Sequence, residues 1–236
     1  MIKIENTDVY GWEAAIRGAR NPMNSWDKMD SGFCMKHITD LEACKKCSQF
    51  NSSGRYCETM YEVGPNDHKL LRNLTNAGPD HGKFMRMITV SLDITAPLYW
   101  WKEFDTYKVG TVANSCSTMH KIHAKEFTLD DFSIEHLIIN QAVPGTVISP
   151  AEFMLGTLNA LNGCRDMYLQ TKDKVWWWQM IQLLPTSYNQ RRTVLLNYQV
   201  LKSMYHARKN HKLDEWHTFC DWIHSLPYSE LITNET

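Results

Sequence analysis

The residues best suited to chemistry in this chain lie between Val109 and His120, in a stretch of polar side chains that carries no charge. Its hydrogen-bonding members are Thr111, Asn114, Ser115, Cys116, Ser117, Thr118 and His120. So dense a set of small donors and acceptors favours a binding loop, whereas an ordinary solvated connection more often contains Lys, Glu or Pro. Cys116 adds a candidate nucleophile, because a thiolate is strongly nucleophilic and a nearby His120 or His123 lowers a thiol pKa. The alternatives are an ordinary polar connection and an inert, buried thiol.

The elements before this stretch are predicted to position it. Residues 88–95 alternate apolar and polar side chains, which is typical of a strand with one buried face. Pro97 suits the first turn of a helix, where its missing N–H is not needed. We therefore predict a strand, a short helix and then the polar stretch, in that order.

Helical periodicity recurs along most of the chain. The predicted helices cover Asp8–Arg20 with Asp8 as N-cap, Asp67–Asn76, a short helix capped by Thr128, Pro150 to about Asn162, Lys174–Leu184, Arg191–Lys209 and Asp214–His224. The composition of residues 30–65 instead predicts a loop-rich, cysteine-containing insertion. The pattern indicates an α+β fold that is mostly helical with a small antiparallel sheet. We expect residues 1–236 to form a single domain.

Composition argues against several functions. The chain has 236 residues with 25 basic and 26 acidic side chains, and this balance disfavours a surface built for nucleic acid or acidic membranes. No apolar run reaches the roughly 18–20 residues of a membrane span, and the N-terminus lacks the features of a signal peptide. We therefore expect a cytoplasmic protein. The tryptophans at 100–101 and 176–178 are expected in the core and at subunit interfaces, because adjacent helical residues point in different directions.

Four cysteines in the loop-rich region form a symmetric C-x9-C-x2-C-x9-C pattern. They are Cys34, Cys44, Cys47 and Cys57. Four thiolates around zinc would supply folding energy to a segment that lacks a core. Unrelated thiols are the alternative, since zinc ribbons usually show two close pairs. A zinc-stabilised interaction module is thus one possible class for the protein.

The order and spacing of several segments resemble the flavin-dependent thymidylate synthase family. In that family a strand runs into Ala-Pro, and a helix with Arg-Gln-Trp, an Arg-His-Arg triplet and a serine follow. Here Ala96-Pro97 matches the start, Lys102–Phe104 lies in place of Arg-Gln-Trp, and Thr106–Lys108 lies in place of Arg-His-Arg. Cys116 takes the place of the serine without gaps, and Ser117 takes it with one inserted residue.

The second half of the chain resembles the same family. Leu184-Pro185 is followed twelve residues later by Asn197, and Gln199 and Arg208 stand where the family has two arginines. Near the N-terminus Ala14–Arg20 resembles an Ala-x-Arg segment, and His81 falls near a family histidine before the strand. Together these matches touch roughly half of the chain.

The resemblance implies the thymidylate-synthase-complementing fold, a homotetramer, and FAD and a pyrimidine nucleotide bound at subunit interfaces. The implied reaction is reductive methyl or hydroxymethyl transfer to dUMP or a related nucleotide, with reduced nicotinamide and methylenetetrahydrofolate as co-substrates. The residues that it assigns to the flavin are His81, Thr106, Tyr107, Lys108, Asn114, Asn197 and Gln199. Those that it assigns to the nucleotide are Glu103, Ser115, Ser117, Thr118 and Arg208. Cys116, Ser117 and Arg208 are the implied catalytic residues, with the Cys116 thiolate directed at C6 of the pyrimidine ring.

The departures from the family remove cationic groups. The Arg-His-Arg triplet is lost, as are the arginines that would stand at Thr118 or Met119 and at Ile181. Charge-assisted hydrogen bonds are worth roughly 1.5–3 kcal/mol each, so two missing phosphate contacts would weaken binding by about two to four orders of magnitude. Lysines compensate only in part because they lack the guanidinium fork. The alternative class is therefore a non-catalytic homo-oligomeric scaffold that binds a nucleotide or a protein partner.

Overall fold

The computed structural model of the protein describes residues 2–34, 42 and 61–235. The strands of this part of the chain are β1 (Lys3–Tyr10), β2 (Gly32–Phe33), β3 (Tyr61–Glu62), β4 (Thr89–Pro97), β5 (Val112–Ser115) and β6 (Asn189–Asn197). Its α-helices are α1 (Trp12–Arg20), α2 (Pro65–Asn76), α3 (Leu98–Phe104), α4 (Pro150–Thr171), α5 (Lys174–Leu183), α6 (Tyr198–Arg208), α7 (Asp214–His224) and α8 (Glu230–Thr233). None of these helices is long and apolar enough to cross a membrane.

Four strands form one small sheet in the order β1-β4-β6-β5, and β2 pairs with β3 in a separate ribbon. β5 runs antiparallel to β6, with Val112 opposite Leu195 and Ser115 opposite Arg192. The predicted α+β class, mostly helical with a small antiparallel sheet, is therefore confirmed.

The described residues cluster into two compact units. The first unit contains the residues up to Thr7, Ser91–Leu195 and Ala207–Trp222, and the second unit contains the remainder. In the first unit, α3 buries Trp100, Trp101 and Phe104. Trp100 packs against Trp216 of α7 with ring centroids 4.8 Å apart. Trp100 and Trp101 are core residues, as predicted. Trp176 and Trp177 are half-buried and Trp178 is exposed, so their expected place at a subunit interface stays a prediction.

In the second unit, α1 buries one face, and its Trp12 packs edge-on against Tyr198 and Tyr228 at 5.3 and 5.0 Å. The helix ends in a buried ion pair, in which Arg20 Nε lies 2.6 Å from Asp67 Oδ1. Such a pair is stable only with further hydrogen bonds. Ser31 supplies them through its backbone N–H and its hydroxyl, both bonded to Asp67 Oδ2.

Two predicted helices are wrong at their N-terminal ends. The helix expected over Asp8–Arg20 begins at Trp12, because Asp8 belongs to β1 and is not the N-cap. Gly11 makes the turn between them with φ of 93°, and a Cβ there would lie 2.0 Å from the Met87 carbonyl oxygen. Only glycine fits so close an approach.

The helix expected over Arg191–Lys209 is a strand followed by a helix. Residues 189–197 form β6, and α6 begins only at Tyr198. Gln190, Val194 and Leu196 are buried on alternate positions, so pairing within the sheet overrides the helical periodicity.

Smaller differences concern element ends. The helix expected over 150–162 extends to Thr171, and the one expected at Asp67 begins at Pro65. Thr128 caps a 3-10 turn at Leu129–Asp131, and the helices at 174–183 and 214–224 lie where predicted. Val112–Ser115, expected within a loop, is strand β5.

Candidate functional site

The polar stretch is held against the sheet rather than looping freely. β5 exposes the side chains of Asn114 and Ser115, which lie opposite Thr193 and Arg192 of β6. Cys116 comes next: its N–H donates to the Arg191 carbonyl at 2.9 Å, and its carbonyl accepts from Gln190 Nε2 at 2.8 Å. The Cys116 backbone is thus fixed on both sides while its thiol is exposed.

Gln190 connects this polar stretch to the buried Trp101 through hydrogen bonds. Its side chain is only 7% exposed, and its Oε1 accepts from Arg192 Nε at 3.0 Å. Its carbonyl accepts from the buried Trp101 indole at 2.9 Å, and the Arg192 guanidinium lies 4.1 Å from the Trp101 ring centroid. Sequence reasoning missed Gln190, because a helix was predicted from Arg191 onward where the strand β6 in fact begins at Asn189.

After Cys116, hydrogen bonds between side chains and the backbone hold the turn. The His120 N–H donates to Ser117 Oγ at 2.9 Å, and Trp177 Nε1 donates to the Met119 carbonyl at 2.9 Å. His123 packs its ring against Tyr168 with centroids 4.9 Å apart. In the part of the chain that the structure describes, no contact joins either imidazole to the Cys116 thiol, so thiol activation by these histidines stays a prediction.

A second polar cluster centres on Glu103 of α3. Its Oε2 accepts from Arg208 Nη1 at 2.7 Å and from the buried Trp216 indole at 2.9 Å, and His211 Nε2 lies 3.2 Å away. Arg208 also donates from Nε to Tyr107 Oη at 2.9 Å, and its guanidinium stacks 4.8 Å from the Trp216 ring centroid. The structure therefore brings together three predicted residues, Glu103, Tyr107 and Arg208.

The residues that sequence reasoning missed in this cluster are Trp216 and His211. A carboxylate that receives a guanidinium and an indole N–H holds the arginine in one orientation. Their closeness to Arg208 in the sequence was the one available sign that His211 and Trp216 belong to this cluster. We call Glu103, Tyr107, Arg208, His211 and Trp216 the Glu103 cluster.

The arginines of the first unit already have carboxylate partners. Each of the four arginines of this unit forms an ion pair, joining Arg165 to Asp166, Arg191 to Asp93, Arg192 to Asp105 and Arg208 to Glu103, at N–O distances of 2.6–2.9 Å. A phosphate that sought a guanidinium fork would compete with a carboxylate at every one of them. Exposed lysines adjoin four members of the Glu103 cluster in the sequence, namely Lys102, Lys108, Lys209 and Lys212.

Asp93 on β4 is the most strongly perturbed carboxylate near the strands. A hydrogen bond from the Thr193 hydroxyl, with others from the Asn6 amide and Arg191, lowers its pKa to about 2. The donor distances are 2.5, 2.8 and 2.8 Å. Asp93 therefore stays charged and fixes Arg191, whose carbonyl receives the Cys116 N–H.

The second unit contains three other predicted residues. Asn197 caps α6, since its Oδ1 accepts from the Val200 N–H at 2.9 Å. Gln199 lies by the buried Gly82, where an added Cβ would be 3.8 Å from Gln199 Oε1. His81, which precedes Gly82, is exposed. Gln199 thus lies beside the residue that follows His81 in the chain.

A concave patch in the second unit lies along α2. Its lining residues are His68, Lys69, Arg72, Asn73 and Asn76. None of them was predicted as a site residue, and two cations beside two amides suit an anionic group. The amides and cations of this patch are therefore a donor set that suits an anionic group, while the His68 imidazole is already bonded to Glu230 at 2.5 Å.

The other predicted residues have structural contacts or lie outside the described residues. Thr106 donates from its hydroxyl to the Glu103 carbonyl at 2.7 Å, and Lys108 is exposed at the end of that turn. Thr118 is half-buried. Among the zinc candidates Cys34 is buried, whereas Cys44, Cys47 and Cys57 lie outside the described residues.

The fold is that of the flavin-dependent thymidylate synthases. ThyX from Helicobacter pylori, solved with FAD and dUMP, matches with a TM-score of 0.65 and 12% identity over 100% of this chain and 98% of that one. The UMP/dUMP methylase PolB from Streptomyces cacaoi, bound with 5-Br UMP, matches with a TM-score of 0.57 and 11% identity over 95% of this chain and 88% of that one. No protein-family model and no curated protein sequence matches the chain. The predicted fold is confirmed.

Proposed function

We propose that this protein is a flavin-dependent enzyme that binds FAD and a pyrimidine nucleotide and transfers a one-carbon unit to dUMP or a related nucleotide. The observation that carries the proposal is the match over nearly the whole length of both chains to a protein solved with FAD and dUMP. Reduced nicotinamide and methylenetetrahydrofolate are the proposed co-substrates.

The Glu103 cluster is our proposed site for the pyrimidine ring. Glu103 neutralises Arg208, so this guanidinium is better matched to a neutral ring carbonyl than to a phosphate dianion. The Glu103 and Tyr107 contacts use two of the five guanidinium N–H groups, which leaves others for a ligand. Arg208 would orient the base, and Glu103 would fix Arg208.

The polar stretch is our proposed site for the rest of the nucleotide. Ser115, Ser117 and Thr118 offer hydroxyl groups, and exposed Lys102 offers a positive charge for the phosphate. Cys116 is the exposed thiol among the described cysteines, and its backbone is fixed at the end of β5. We assign it as the nucleophile toward the pyrimidine ring, with Ser117 beside it.

FAD, when bound, would supply the hydride chemistry that no amino-acid side chain provides. The residues that would hold it are His81, Thr106, Tyr107, Lys108, Asn114, Asn197 and Gln199. Gln199 and His81 offer hydrogen-bonding groups beside or next to a buried glycine, and this set suits the polar edge of a flavin ring. Asn197 has an amide NH2 group in addition to the oxygen that caps α6.

Four further expectations remain proposals. They are a homotetrameric assembly, a cytoplasmic location, a single domain over residues 1–236, and zinc held by Cys34, Cys44, Cys47 and Cys57. Metal analysis of purified protein tests the last, and a stoichiometric zinc content is the expected result.

A non-catalytic scaffold of the same fold is the second candidate. The specific observation in its favour is the pairing of all four arginines of the first unit with carboxylates. A protein that has lost the need to hold phosphate would tolerate such pairing. It would bind a protein partner, or a nucleotide without turnover.

The absorbance spectrum of freshly purified protein separates the two candidates. A flavin spectrum that persists through gel filtration, and that NADPH bleaches under anaerobic conditions, supports the enzyme. Reconstitution with added FAD guards against loss during purification. A colourless oligomer that takes up no FAD and oxidises no NADPH would refute the enzyme and favour the scaffold.

A further inference from the structure

The two carboxylate oxygens of Glu103 are used unequally. Oε2 accepts from Arg208 Nη1 at 2.7 Å and from Trp216 Nε1 at 2.9 Å, and His211 Nε2 lies 3.2 Å from the same oxygen. Within the part of the chain that the structure describes, no group donates to Oε1. The Glu103 side chain is 33% exposed, so the carboxylate is within reach of a bound ligand.

The surroundings of Glu103 make Oε1 an acceptor only. His211 Nδ1 accepts from the Leu213 N–H at 3.2 Å, so the imidazole is neutral and carries its proton on Nε2, the nitrogen nearest Glu103. The groups around Oε2 are therefore all donors. Glu103 is ionised in its pair with Arg208, and an ionised carboxylate has no hydrogen to donate. A ligand atom that bonds to Oε1 must therefore be a donor.

Arg208 places donors directly beside this acceptor. Its Nε donates to Tyr107 Oη and one Nη1 hydrogen goes to Glu103, which leaves one N–H on Nη1 and two on Nη2. The guanidinium lies 4.8 Å from the Trp216 ring centroid, and this contact helps to hold it in place. Arg208 and Glu103 Oε1 thus offer a flat ring two donors followed by one acceptor.

The common pyrimidine bases match this order of groups differently. The edge of cytosine carries two neighbouring acceptors, O2 and N3, followed by the N4 amino group, which donates. The edge of uracil carries an acceptor, O2, then the N3–H donor, then a second acceptor, O4. Two donors followed by one acceptor pair with all three groups of cytosine but with only two of uracil. Glutamate is, moreover, a side chain that characteristically accepts from cytosine N4.

Uracil would also bring a carbonyl oxygen against the carboxylate. If Glu103 Oε1 accepts from N3–H and Arg208 donates to one neighbouring carbonyl, the other carbonyl oxygen lies beside Oε1 with no donor facing it. Two acceptors that have lost their water and face each other weaken binding. In cytosine the neighbour of N4 on that side is C5–H, which has no lone pair.

We propose that Glu103 makes the site selective for a cytosine nucleotide, with Oε1 accepting from the N4 amino group and Arg208 donating to N3 and O2. The inference rests on the proposed function, because it takes the Glu103 cluster as the pyrimidine site, and it adds the identity of the base. In this arrangement dUMP binds through two groups and dCMP through three.

Titration of the FAD-loaded protein with dCMP and with dUMP, measured by isothermal calorimetry, tests the preference. We expect dCMP to bind at least tenfold more tightly than dUMP, which corresponds to about 1.4 kcal/mol. The deoxynucleotide of pyrimidin-2-one isolates the bond to Oε1, because it keeps O2 and N3 but has hydrogen in place of the amino group. It should lose the advantage of dCMP.

The substitution Glu103→Gln separates selection of the base from support of the fold. Glutamine would keep its oxygen toward the donors of Arg208 and Trp216 and turn its NH2 group to the ligand, where it would oppose the amino group of cytosine. The preference for dCMP should therefore be lost or reversed. A purely structural role of Glu103 would weaken both nucleotides alike and leave the ratio of their dissociation constants unchanged. Glu126→Gln, at an exposed glutamate, is the matched control and should keep the wild-type ratio.

The possible failures are distinguishable. Equal affinities for the two nucleotides, tighter binding of dUMP, full affinity for the pyrimidin-2-one nucleotide, or an unchanged ratio in Glu103→Gln would overturn selection by Glu103 and leave the proposed function intact. A protein that takes up no FAD, or that binds neither dCMP nor dUMP, would refute the proposed function and the selection with it.

Discussion

The substitution Glu103→Gln separates the structural role of the Glu103 cluster from its proposed role in binding. Glutamine keeps the size of the side chain and one acceptor oxygen but removes the charge that faces Arg208. The carboxylate now accepts from Arg208 at 2.7 Å and from Trp216 at 2.9 Å. Charge-assisted bonds are worth about 1.5–3 kcal/mol and neutral ones about 0.5–1.5 kcal/mol, so each bond weakens by roughly 1 kcal/mol.

Solvent screening reduces this loss, because the Glu103 side chain is 33% exposed and that of Arg208 is 18% exposed. We therefore expect Glu103→Gln to lower the free energy of unfolding by about 1–2 kcal/mol. For a chain of this size that corresponds to a fall of about 2–8 °C in the melting temperature. Thermal melts followed by circular dichroism measure it, and Glu126→Gln, at an exposed glutamate, is the control with the same change in charge.

Nucleotide binding should weaken as well. Without the carboxylate, Arg208 is no longer held in one orientation for the base, and dUMP should bind about tenfold more weakly, equivalent to about 1.4 kcal/mol. Isothermal calorimetry on the FAD-loaded protein measures the dissociation constant. If Glu103→Gln melts like wild type, the cluster does not hold the fold as described. If affinity for dUMP is unchanged or rises while stability falls, Glu103 does not orient Arg208 for the ligand, and the assignment of Arg208 fails.

Three further predictions follow from single residues. Asn197→Ala should lower the free energy of unfolding by about 1 kcal/mol, because it removes the α6 cap. Asn197→Ser should keep the cap and lose FAD affinity. Equal FAD affinity for Asn197→Ser and wild type would exclude an amide contact to the flavin. Cys116 should react with a thiol reagent in native protein well before Cys220, whose pKa burial raises to about 11, and peptide mass spectrometry would contradict this by finding Cys220 modified first. Because its folded pKa of about 2 lies below the unfolded value, Asp93 stabilises the fold above about pH 4 and loses this effect as the pH falls toward 2. The difference in urea midpoint between wild type and Asp93→Asn should therefore be constant from pH 7 to about pH 5 and shrink below pH 4. A difference that grows below pH 4 would contradict a stabilising role for the charged Asp93 side chain.

Much of the fold could be predicted from local patterns. The alternation over 88–95 corresponds to β4, and the helical periodicity over 67–76 corresponds to α2. Such elements carry their signal within a few residues. The strand β6 could not be predicted in this way, because Gln190, Val194 and Leu196 gain their burial only by pairing with distant strands.

The candidate site could be predicted only in part. Family spacing located Glu103, Tyr107 and Arg208, and the structure joins them by hydrogen bonds. The spacing of residues in the sequence does not say which charged side chains pair with each other. The carboxylate partner of each arginine in the first unit is therefore visible only in the structure. The role of Gln190 could not be predicted either, because two of its partners, Trp101 and Cys116, lie far away in the sequence.

Titration of the FAD-loaded protein with dUMP, followed by the flavin absorbance spectrum, tests the central claim most directly. We predict a saturable shift of the flavin bands in wild type that is lost in Arg208→Ala but kept in the exposed control Lys125→Ala. A protein that binds no FAD, or a flavin spectrum that dUMP leaves unchanged, would contradict the account.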